Sequence, residues 1–371
     1  MGVLFSAPQA EFAIIKEEWF KAVEELAKSG VFVGGAKVEE FEAAFADFVR
    51  TKAAVGVGNG TEAICLALKA LNIGPGDEVI TAANTFIATV EAIHNAGAKP
   101  VLVDCDPDNF LIDFEQVKRS KTSRTKAVIP VHLYGQMVDL SEILPWAERE
   151  NIYLVEDCAQ AAGARHRDKP AGSIGIAGCL SFYPDKNLGA LGDGGIVVTS
   201  SEELAAKIRK LRNHGGDGRY KHEIIGTNSR LDPIQASALK LKLPFLNQWN
   251  ARRREIATLY ETYLGGLEGV SLPKHRGDES HVFHLYVVRV KPEIRDKVRK
   301  QLQKKGVLTA IQYPLPVHLT EAFSGLGYHP GDFPVAERYA QEVISLPMNI
   351  TVTEKDVEFI AAEIKEILIK G

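Results

Sequence analysis

The sequence predicts an α/β protein, in which a mostly parallel sheet flanked by helices is followed by a second, smaller α+β domain. Short β-branched runs alternate with helix-like segments from about residue 54 to residue 200, the pattern of parallel strands joined by helices. Two of these runs, AVIPVHL and IYLVE, are nearly continuous in apolar residues, which is typical of strands covered on both faces. Beyond residue 245 the pattern changes to a long charged helix, a strand and further helices.

The strands of the predicted sheet are short and end in polar or glycine-rich residues. We assign them to the runs AVGVG, DEVITAA, KPVLVDC, KAVIPVHLY, NIYLVED and GIVVTS. Helix-like segments separate the runs, which indicates parallel strands joined by helices. Ligands of open sheets bind beyond the carboxyl ends of the strands, which makes the residues after each run the candidate site residues.

Two domains are predicted, with a boundary near residue 246. Residues 1–245 would form an N-terminal segment and the large domain, and residues 246–371 the small one. The small domain begins with the charged stretch NARRREIATLYETYLGGL. We interpret its arginines, residues 252–254, as a solvated helix face rather than a ligand patch.

Composition and charge exclude several classes of partner. The formal net charge of −4 over 371 residues provides no basic excess for nucleic acid or acidic membranes, which favours a small-molecule ligand. The N-terminus lacks the features of a signal peptide, and no apolar run is long enough to span a bilayer, so a cytoplasmic protein is expected. The four cysteines form neither a CxxC pair nor a metal-type cluster with histidine, which predicts reduced thiols and no metal site.

The first candidate site segment is a glycine-rich turn in VGVGNGTEAICLALKAL. Gly60 and Thr61 follow a strand and open an apolar-periodic helix, where backbone N–H groups bind phosphate and glycine allows close approach. The alternative is a nicotinamide dinucleotide site. Against it, the spacing is GxGxG, and no acidic residue ends the next strand in VITAANTF.

Two further strand ends carry groups suited to a ring. In LVEDCAQAAGA, Glu156 and Asp157 end an apolar strand and Gln160 follows. A carboxylate at a buried strand end requires a cationic or protonated partner, although an acidic helix cap is the simpler alternative. Phe86, in ITAANTFIAT, follows another strand and could stack on a planar ring or belong to the core.

The last candidate segment is SFYPDKNLGALGDGG, which contains Lys186. Its aromatic, proline and glycine neighbours indicate a fixed position for this lysine, although a surface lysine is the alternative. An amine in a partly desolvated pocket loses its proton more easily and becomes a nucleophile toward carbonyls. A phosphate cradle, a stacking aromatic, a carboxylate for a cationic nitrogen and a positioned lysine together match the requirements of pyridoxal phosphate.

The chain resembles the DegT/DnrJ/EryC1/StrS sugar aminotransferases over nearly its whole length. The resemblance is carried by the motifs SGVFVGGAKVEEFEAAFADF, GNGTEAI, ANTFIAT, VDCDPDNF, PVHLYGQ, EDCAQAAGA, SFYPDKNLGALGDGG, GTNSRLDPIQASAL, HVFHLYVVR and VISLPMNITVTEKDV. It implies the pyridoxal-phosphate transferase fold of aspartate aminotransferase, fold type I, with a seven-stranded sheet.

The resemblance also implies roles for individual cofactor residues. Lys186 would form the internal aldimine and move protons between the cofactor's C4′ and the substrate carbon. Asp157 would pair with the pyridine nitrogen, Gln160 with the ring's 3′-oxygen, and Phe86 would stack on the ring. The phosphate would be held by Gly60, Thr61, Ser181 and, from a neighbouring subunit, Asn228.

Substrate contacts follow from the same resemblance. The residues implied in the sugar pocket are Tyr183, Arg230, Tyr313 and His318. The segment NHGGDGRYKHEIIGTNSRLD would cross to the partner in a homodimer with shared sites, and its glycines, Gly215, Gly216 and Gly218, would suit a mobile loop. Asp185 stands where a threonine is frequent in the family, and it adds a negative charge beside Lys186.

The implied activity is amino transfer from glutamate to a keto group of a nucleotide-linked deoxysugar. The run YKHEIIGTNSRLD resembles members that act at C-3, which would make a dTDP-3-keto-6-deoxyhexose the substrate. One alternative is an aminotransferase for a non-sugar ketone such as a cyclitol. Another is a non-catalytic nucleotide-sugar-binding or regulatory protein on the same fold.

Overall fold

A seven-stranded sheet with helices on both faces organises most of the chain. The computed structural model describes residues 2–216 and 220–369. The α-helices are α1 Pro8–Ser29, α2 Ala36–Val49, α3 Gly60–Ala70, α4 Ile87–Asn95, α5 Phe114–Ser120, α6 Ile143–Arg149, α7 Glu202–Leu211, α8 Pro233–Lys242, α9 Leu246–Leu264, α10 Pro292–Lys304, α11 Pro334–Glu342 and α12 Glu354–Ile369. The strands are β1 Ala53–Val57, β2 Glu78–Ala82, β3 Lys99–Val103, β4 Thr125–Ile129, β5 Tyr153–Asp157, β6 Arg165–His166, β7 Lys169–Pro170, β8 Ala177–Ser181, β9 Gly195–Thr199, β10 Val270–Ser271, β11 Tyr286–Val290 and β12 Val343–Leu346.

The strand order of the large sheet is β1-β9-β8-β5-β4-β2-β3, and all strands except β9 run in the same direction. The predicted α/β class and mostly parallel sheet are therefore confirmed. The expectation that GIVVTS is parallel is wrong, because β9 pairs antiparallel with both β1 and β8. A turn-rich loop, residues 182–194, joins β8 to β9, whereas a parallel neighbour would need a helical crossover. Strand β8 itself was absent from the predicted set.

Burial on both faces of the sheet explains the continuous apolar strands. Val55 and Val197 pack with α3 and α7 on one face. Ala54 and Val198, their neighbours in sequence, pack with α2 and α8 on the other. Successive side chains of a strand point to opposite faces, so both sets must be apolar when helices cover both sides.

A second hydrophobic core lies in the C-terminal part. Helices α9, α10 and α12 pack there against the antiparallel sheet β10-β11-β12. Tyr260 and Tyr286 stack inside this core with their ring centroids 4.7 Å apart. Helix α9 begins at Leu246, and a domain boundary near that residue stays a prediction.

The interpretation of residues 252–254 as a solvated face is wrong for Arg253. Only 3% of Arg253 is exposed, and its Nη1 donates to the carbonyl oxygens of Phe283, His284 and Met348. The guanidinium thereby joins α9 to the segments that precede β11 and follow β12. A buried arginine is tolerated when carbonyl oxygens accept hydrogen bonds from its N–H groups. The charged sequence around Arg253 could not reveal these acceptors.

The four cysteines lie in the interior of the protein. Cys65, Cys105, Cys158 and Cys179 are free and buried. Burial raises the pKa of each thiol, so these thiols are poor nucleophiles. Within residues 2–216 and 220–369, no helix combines the length and apolar composition needed to cross a membrane.

Candidate active site

A cavity of about 540 Å³ lies beyond the carboxyl ends of the parallel strands. Strand β5 delivers Asp157 to it, β8 delivers Ser181, and the start of α3 follows β1. The residues proposed from the sequence that line this cavity are Gly60, Thr61, Phe86, Asp157, Gln160, Ser181, Tyr183, Lys186 and Tyr313. The fold therefore brings together proposed site residues that are up to 253 positions apart in the chain.

Three of the proposed residues lie outside this cavity. His318 is 2% exposed, and its Nε2 is 3.0 Å from Glu337 Oε1. Arg230 donates to Asn213 Oδ1 and lines a separate surface pocket. Asn228 is exposed, and its backbone forms an isolated antiparallel β-bridge with that of Asn213. Within one chain, none of these three residues lines the cavity that contains Lys186. Gly218 lies outside the described residues.

Asp157 provides a buried carboxylate at the base of the cavity. It is 5% exposed; its Oδ1 accepts from the Ala159 N–H at 3.1 Å, and its Oδ2 accepts from the Thr89 hydroxyl at 2.8 Å. Burial raises the pKa of Asp157, an effect opposed by these two donors and by Lys186. Such a carboxylate is suited to hold a protonated ring nitrogen, because a cation offsets the cost of burying its charge.

The neighbouring Glu156 points away from the cavity and has a structural role. Its carboxylate accepts from His132 Nε2 at 2.9 Å and from the backbone N–H groups of Gly172, Ile174 and Gly175. Burial opposes ionisation, but these donors hold the pKa of Glu156 below its usual value. Alternation along β5 therefore gives the two acidic residues different functions.

The buried group His132, Glu156 and Cys158 has the residue types of a metal site but not its free lone pairs. His132 Nδ1 accepts from the Val138 N–H at 3.1 Å, so Nε2 carries the proton that it donates to Glu156. The carboxylate oxygens of Glu156 are filled by backbone donors as well. The acceptor atoms of His132 and Glu156 are thus already occupied by hydrogen-bond donors, which leaves them no lone pair for an ion.

Lys186 stands in a tightly folded loop between β8 and β9. Its N–H donates to Tyr183 O at 2.9 Å, and the Ala190 N–H donates to Phe182 O at 2.8 Å. A Cβ on Gly189 would lie 2.2 Å from Pro184 O, so only glycine permits this crossing. Burial lowers the pKa of Lys186 to about 8, partly opposed by the carboxylates of Asp157 and Asp185.

The start of α3 forms an anion cradle beside Ser181. Asn59 Oδ1 caps the helix by accepting from the Glu62 N–H at 2.9 Å. The N–H groups of Gly60 and Thr61 have no acceptor within the helix, because they belong to its first turn. A Cβ on Gly60 would lie 2.8 Å from Ser181 Cβ, which makes glycine the residue that allows this close approach.

Gln160, Tyr313 and Phe86 form one wall of the cavity. Gln160 Oε1 accepts from the Tyr134 N–H at 2.6 Å, and its Nε2 donates to the Tyr313 hydroxyl at 2.9 Å. One N–H of that amide is left for a ligand. Phe86 is 51% exposed and lies 5.3 Å from the Tyr313 ring, so it belongs to the cavity rather than to the core.

The structure adds residues that the sequence did not reveal. Phe5, Ser6, Met348 and His284 line the same cavity. His284 Nδ1 is 3.2 Å from Asn187 Oδ1, and the Asn187 amide already donates to Asn250 and Val282. His284 Nδ1 therefore carries the proton, which leaves Nε2 as a hydrogen-bond acceptor. Burial, Lys186 and Arg253 hold the pKa of His284 well below its usual value, so the ring stays neutral.

The sequence around these additional residues did not indicate that they belong to a site. The run HVFHLYVVR indicated a strand and contributed to the family resemblance, but it gave no role to His284. Ser6 donates to Asp185 Oδ1 at 2.9 Å across 179 positions of sequence, a contact that only the tertiary fold creates.

The side chains of the cavity fit pyridoxal phosphate. The free N–H groups at the start of α3 and Ser181 suit a phosphate, and the buried Asp157 carboxylate suits a protonated pyridine nitrogen. Lys186 lies in the same cavity with a lowered pKa. The fold and the site together define a class, the pyridoxal-phosphate-dependent aminotransferases.

Comparison with known proteins identifies the family within this class. The chain belongs to the DegT/DnrJ/EryC1/StrS aminotransferase family, whose model matches residues 13–365. The "Pleiotropic regulatory protein" of Geobacillus stearothermophilus is 44% identical, over 96% of this chain and 96% of that protein. The dTDP-3-amino-3,4,6-trideoxy-alpha-D-glucose transaminase of Streptomyces venezuelae is 43% identical, over 92% of this chain and 89% of that protein.

A solved structure extends the similarity to three dimensions. It is that of S. venezuelae DesV in complex with a ketimine intermediate. The two chains superpose with a TM-score of 0.95 at 41% identity, covering 98% of each. The resemblance inferred from the motifs is therefore confirmed at the level of family and fold.

Proposed function

We propose that this protein transfers an amino group from glutamate to the C-3 keto group of a dTDP-linked 3-keto-6-deoxyhexose. The observation that carries the proposal is the presence of Lys186 and Asp157 in one cavity, beside the anion cradle of α3. Relatives support the substrate class, since the transaminase from S. venezuelae at 43% identity is named for a dTDP-3-amino sugar. The motif similarity of YKHEIIGTNSRLD supports C-3 over C-4.

The proposed cofactor residues divide between binding and proton transfer. Bound pyridoxal phosphate supplies an electron-withdrawing ring that stabilises negative charge at the reacting carbon. Gly60, Thr61 and Ser181 would hold its phosphate, and Phe86 would cover one face of the ring. Asp157 would keep a proton on the ring nitrogen, which maintains the electron demand of the ring.

Lys186 and Gln160 have the remaining proposed roles. The Lys186 amine would be the nucleophile toward the cofactor aldehyde, since burial increases its neutral fraction. Its Nζ would also accept the proton from the substrate carbon that bears the amino group. Gln160 Nε2, fixed by Tyr134 and Tyr313, would donate to the oxygen substituent of the ring.

The two half-reactions share one cavity in a ping-pong sequence. Glutamate would deposit its nitrogen and leave as the keto acid, after which the keto sugar would enter and collect that nitrogen. Among the described residues that line the cavity, Lys186 is the one lysine or arginine. Further cations for the glutamate carboxylates and the nucleotide phosphates must then come from elsewhere.

We assign these groups to a second copy of the chain, as a homodimer with shared sites. Asn228 and Arg230 are removed from the cavity of their own chain, which is expected if they serve the partner's site. Tyr183 would contact the sugar at the open side of the cavity, together with Tyr313. His318 has no described contact with the cavity, so we give it no sugar-binding role. We propose a cytoplasmic location for this enzyme.

The test of the activity uses the purified protein with and without Lys186. We expect the wild-type protein to bind pyridoxal phosphate with a visible absorption band, and Lys186→Ala to bind it without that covalent band. With glutamate and a panel of nucleotide-linked 3-keto and 4-keto sugars, the 3-keto substrate should give the fastest turnover. A faster reaction with a 4-keto sugar, or with a keto cyclitol, would refute the proposed substrate.

A non-catalytic regulatory protein is the second candidate function. The name of the Geobacillus relative at 44% identity favours it. This alternative requires neither a covalent lysine adduct nor turnover with glutamate. A purified protein that binds a nucleotide sugar but acquires no visible band with pyridoxal phosphate would support it.

A further inference from the structure

Helix α8 contains a lysine that the proposed reaction does not use. Lys242 is 0% exposed, and its Nζ donates to Gly189 O at 2.7 Å. The same Nζ lies 3.6 Å from Glu11 Oε2 on α1. Burial of an ammonium group is costly, so its retention here requires an explanation.

The acceptor of that hydrogen bond belongs to the loop that contains Lys186. Gly189 crosses directly over Pro184, so these two residues close the loop around Lys186. Helix α8 contacts the loop a second time, since Gln235 Oε1 accepts from the Leu191 N–H at 2.8 Å. The backbone after Lys186 is thus hydrogen-bonded to two side chains of α8, Gln235 and Lys242.

The Glu11–Lys242 ion pair is not expected to contribute much to the stability of the fold. Glu11 is 4% exposed and its Oε2 has no hydrogen-bond partner among the described residues. Burial raises the pKa of Glu11, an effect partly opposed by the charges of Arg253 and Lys242. Burial lowers the pKa of Lys242, an effect partly opposed by Glu11. Replacing a buried ion pair of this kind by apolar side chains is often neutral or stabilising.

We propose that Lys242 is a positioning residue, which holds the Gly189 carbonyl and thereby fixes the direction from which the Lys186 amine reaches the cofactor. This inference rests on the proposed role of Lys186. It assigns to the buried ammonium a geometric function, since a displacement of about 1 Å at a reacting group can reduce a rate by ~100-fold.

The test removes both charges and separates binding from bond formation. The double variant Glu11→Leu/Lys242→Met removes the ammonium without leaving a buried unpaired carboxylate. We expect it to fold and to bind pyridoxamine phosphate, which makes no bond to Lys186, with nearly unchanged affinity. Its covalent adduct with pyridoxal phosphate, trapped by borohydride, should form about tenfold more slowly or worse.

Two further variants serve as controls. Lys240→Met removes a lysine of the same helix that is exposed and paired with Glu40, and it should form the adduct at the wild-type rate. Lys242→Arg, in the presence of Glu11, keeps a donor toward Gly189 and should restore part of the rate.

Each failure has a distinct meaning. The positioning role is contradicted if the double variant forms the adduct at the wild-type rate, if its affinity for pyridoxamine phosphate falls in parallel, or if it does not fold. If the wild-type protein itself forms no adduct at Lys186, the proposed function fails instead.

Discussion

Lys186 is the residue on which the proposed chemistry depends. Burial lowers its pKa to about 8, and the carboxylates of Asp157 and Asp185 limit the decrease. In the proposed reaction the neutral amine is the nucleophile, so bond formation with pyridoxal phosphate should accelerate as pH rises through the pKa of Lys186. We expect a midpoint near pH 8 when adduct formation by the cofactor-free protein is followed by absorbance. A midpoint at the pKa of a solvated lysine would contradict the described environment.

Asp185 is expected to tune that pKa. Its negative charge raises the pKa of Lys186, so Asp185→Asn should move the midpoint of adduct formation to lower pH. The matched control is Asp193→Asn, another exposed acidic residue of the cavity that does not contribute to the pKa of Lys186. An unchanged midpoint in Asp185→Asn, or an equal shift in Asp193→Asn, would show that Asp185 has no such effect.

At the scale of single residues, the sequence predicted those site residues whose neighbours in the chain indicate their role. Lys186 stood among glycines and aromatics, and Asp157 ended an apolar run. Ser6 and His284 gave no such signal, because each reaches the cavity only through tertiary packing. Asp185 was recognised as unusual, but its bond with Ser6 could not be inferred from separation along the chain.

The start of α3 is the element that should set affinity for the cofactor phosphate. A methyl group on Gly60 would approach Ser181 Cβ to 2.8 Å, so Gly60→Ala must displace β8 or the helix start. We expect Gly60→Ala to lose about tenfold in affinity for pyridoxamine phosphate, or ~1.4 kcal/mol, measured by calorimetry. Pyridoxamine phosphate excludes the contribution of a covalent bond, because it forms none with Lys186.

Gly325→Ala is the control for this substitution. Its added methyl group meets nothing within 4 Å, and its backbone conformation is accessible to alanine. Affinity should therefore stay at the wild-type value in Gly325→Ala. Equal affinities in the Gly60 and Gly325 variants would exclude α3 as the phosphate cradle.

Helices and strands were predictable where hydrophobic periodicity determines them. The direction of a strand was not predictable where it depends on the strands with which it pairs. The runs that became β2, β3, β4 and β5 were assigned correctly and are parallel. Strand β9 has the same composition as these, but its short connection from β8 makes it antiparallel. Arg253 was misinterpreted for a similar reason, since its carbonyl acceptors belong to segments at least 30 positions away.

At the scale of the whole molecule, the N-terminal residues join the C-terminal core to the cavity. The Val3 N–H donates to Gly306 O at 2.8 Å, and Asn349 Nδ2 donates to Leu4 O at 2.9 Å. Phe5 and Ser6 continue from there into the cavity lining. The segment is too short and too weakly patterned for sequence periodicity to reveal this connection.

The proposed assembly predicts complementation between inactive subunits. Lys186→Ala removes the nucleophile, and Asn228→Ala would remove a phosphate ligand supplied to the partner. A mixed dimer would then contain one site with both residues intact, so unfolding and refolding the two variants together should recover part of the activity.

The control for complementation uses two residues of the same cavity. Asp157 and Lys186 line one cavity of one chain, so a mixture of Asp157→Ala and Lys186→Ala leaves every site defective. We expect no recovery from this mixture. Recovery here, or its absence with Asn228→Ala, would contradict sites shared in the proposed manner.

The most direct test of the central claim follows the transferred nitrogen. Purified protein loaded with pyridoxal phosphate is supplied with isotopically labelled glutamate and a dTDP-3-keto-6-deoxyhexose, and the sugar product is analysed by NMR. The account predicts that the labelled nitrogen is bonded to C-3 of the sugar and that Lys186→Ala yields no labelled product. Label on a different carbon, no transfer, or equal transfer by Lys186→Ala would contradict it.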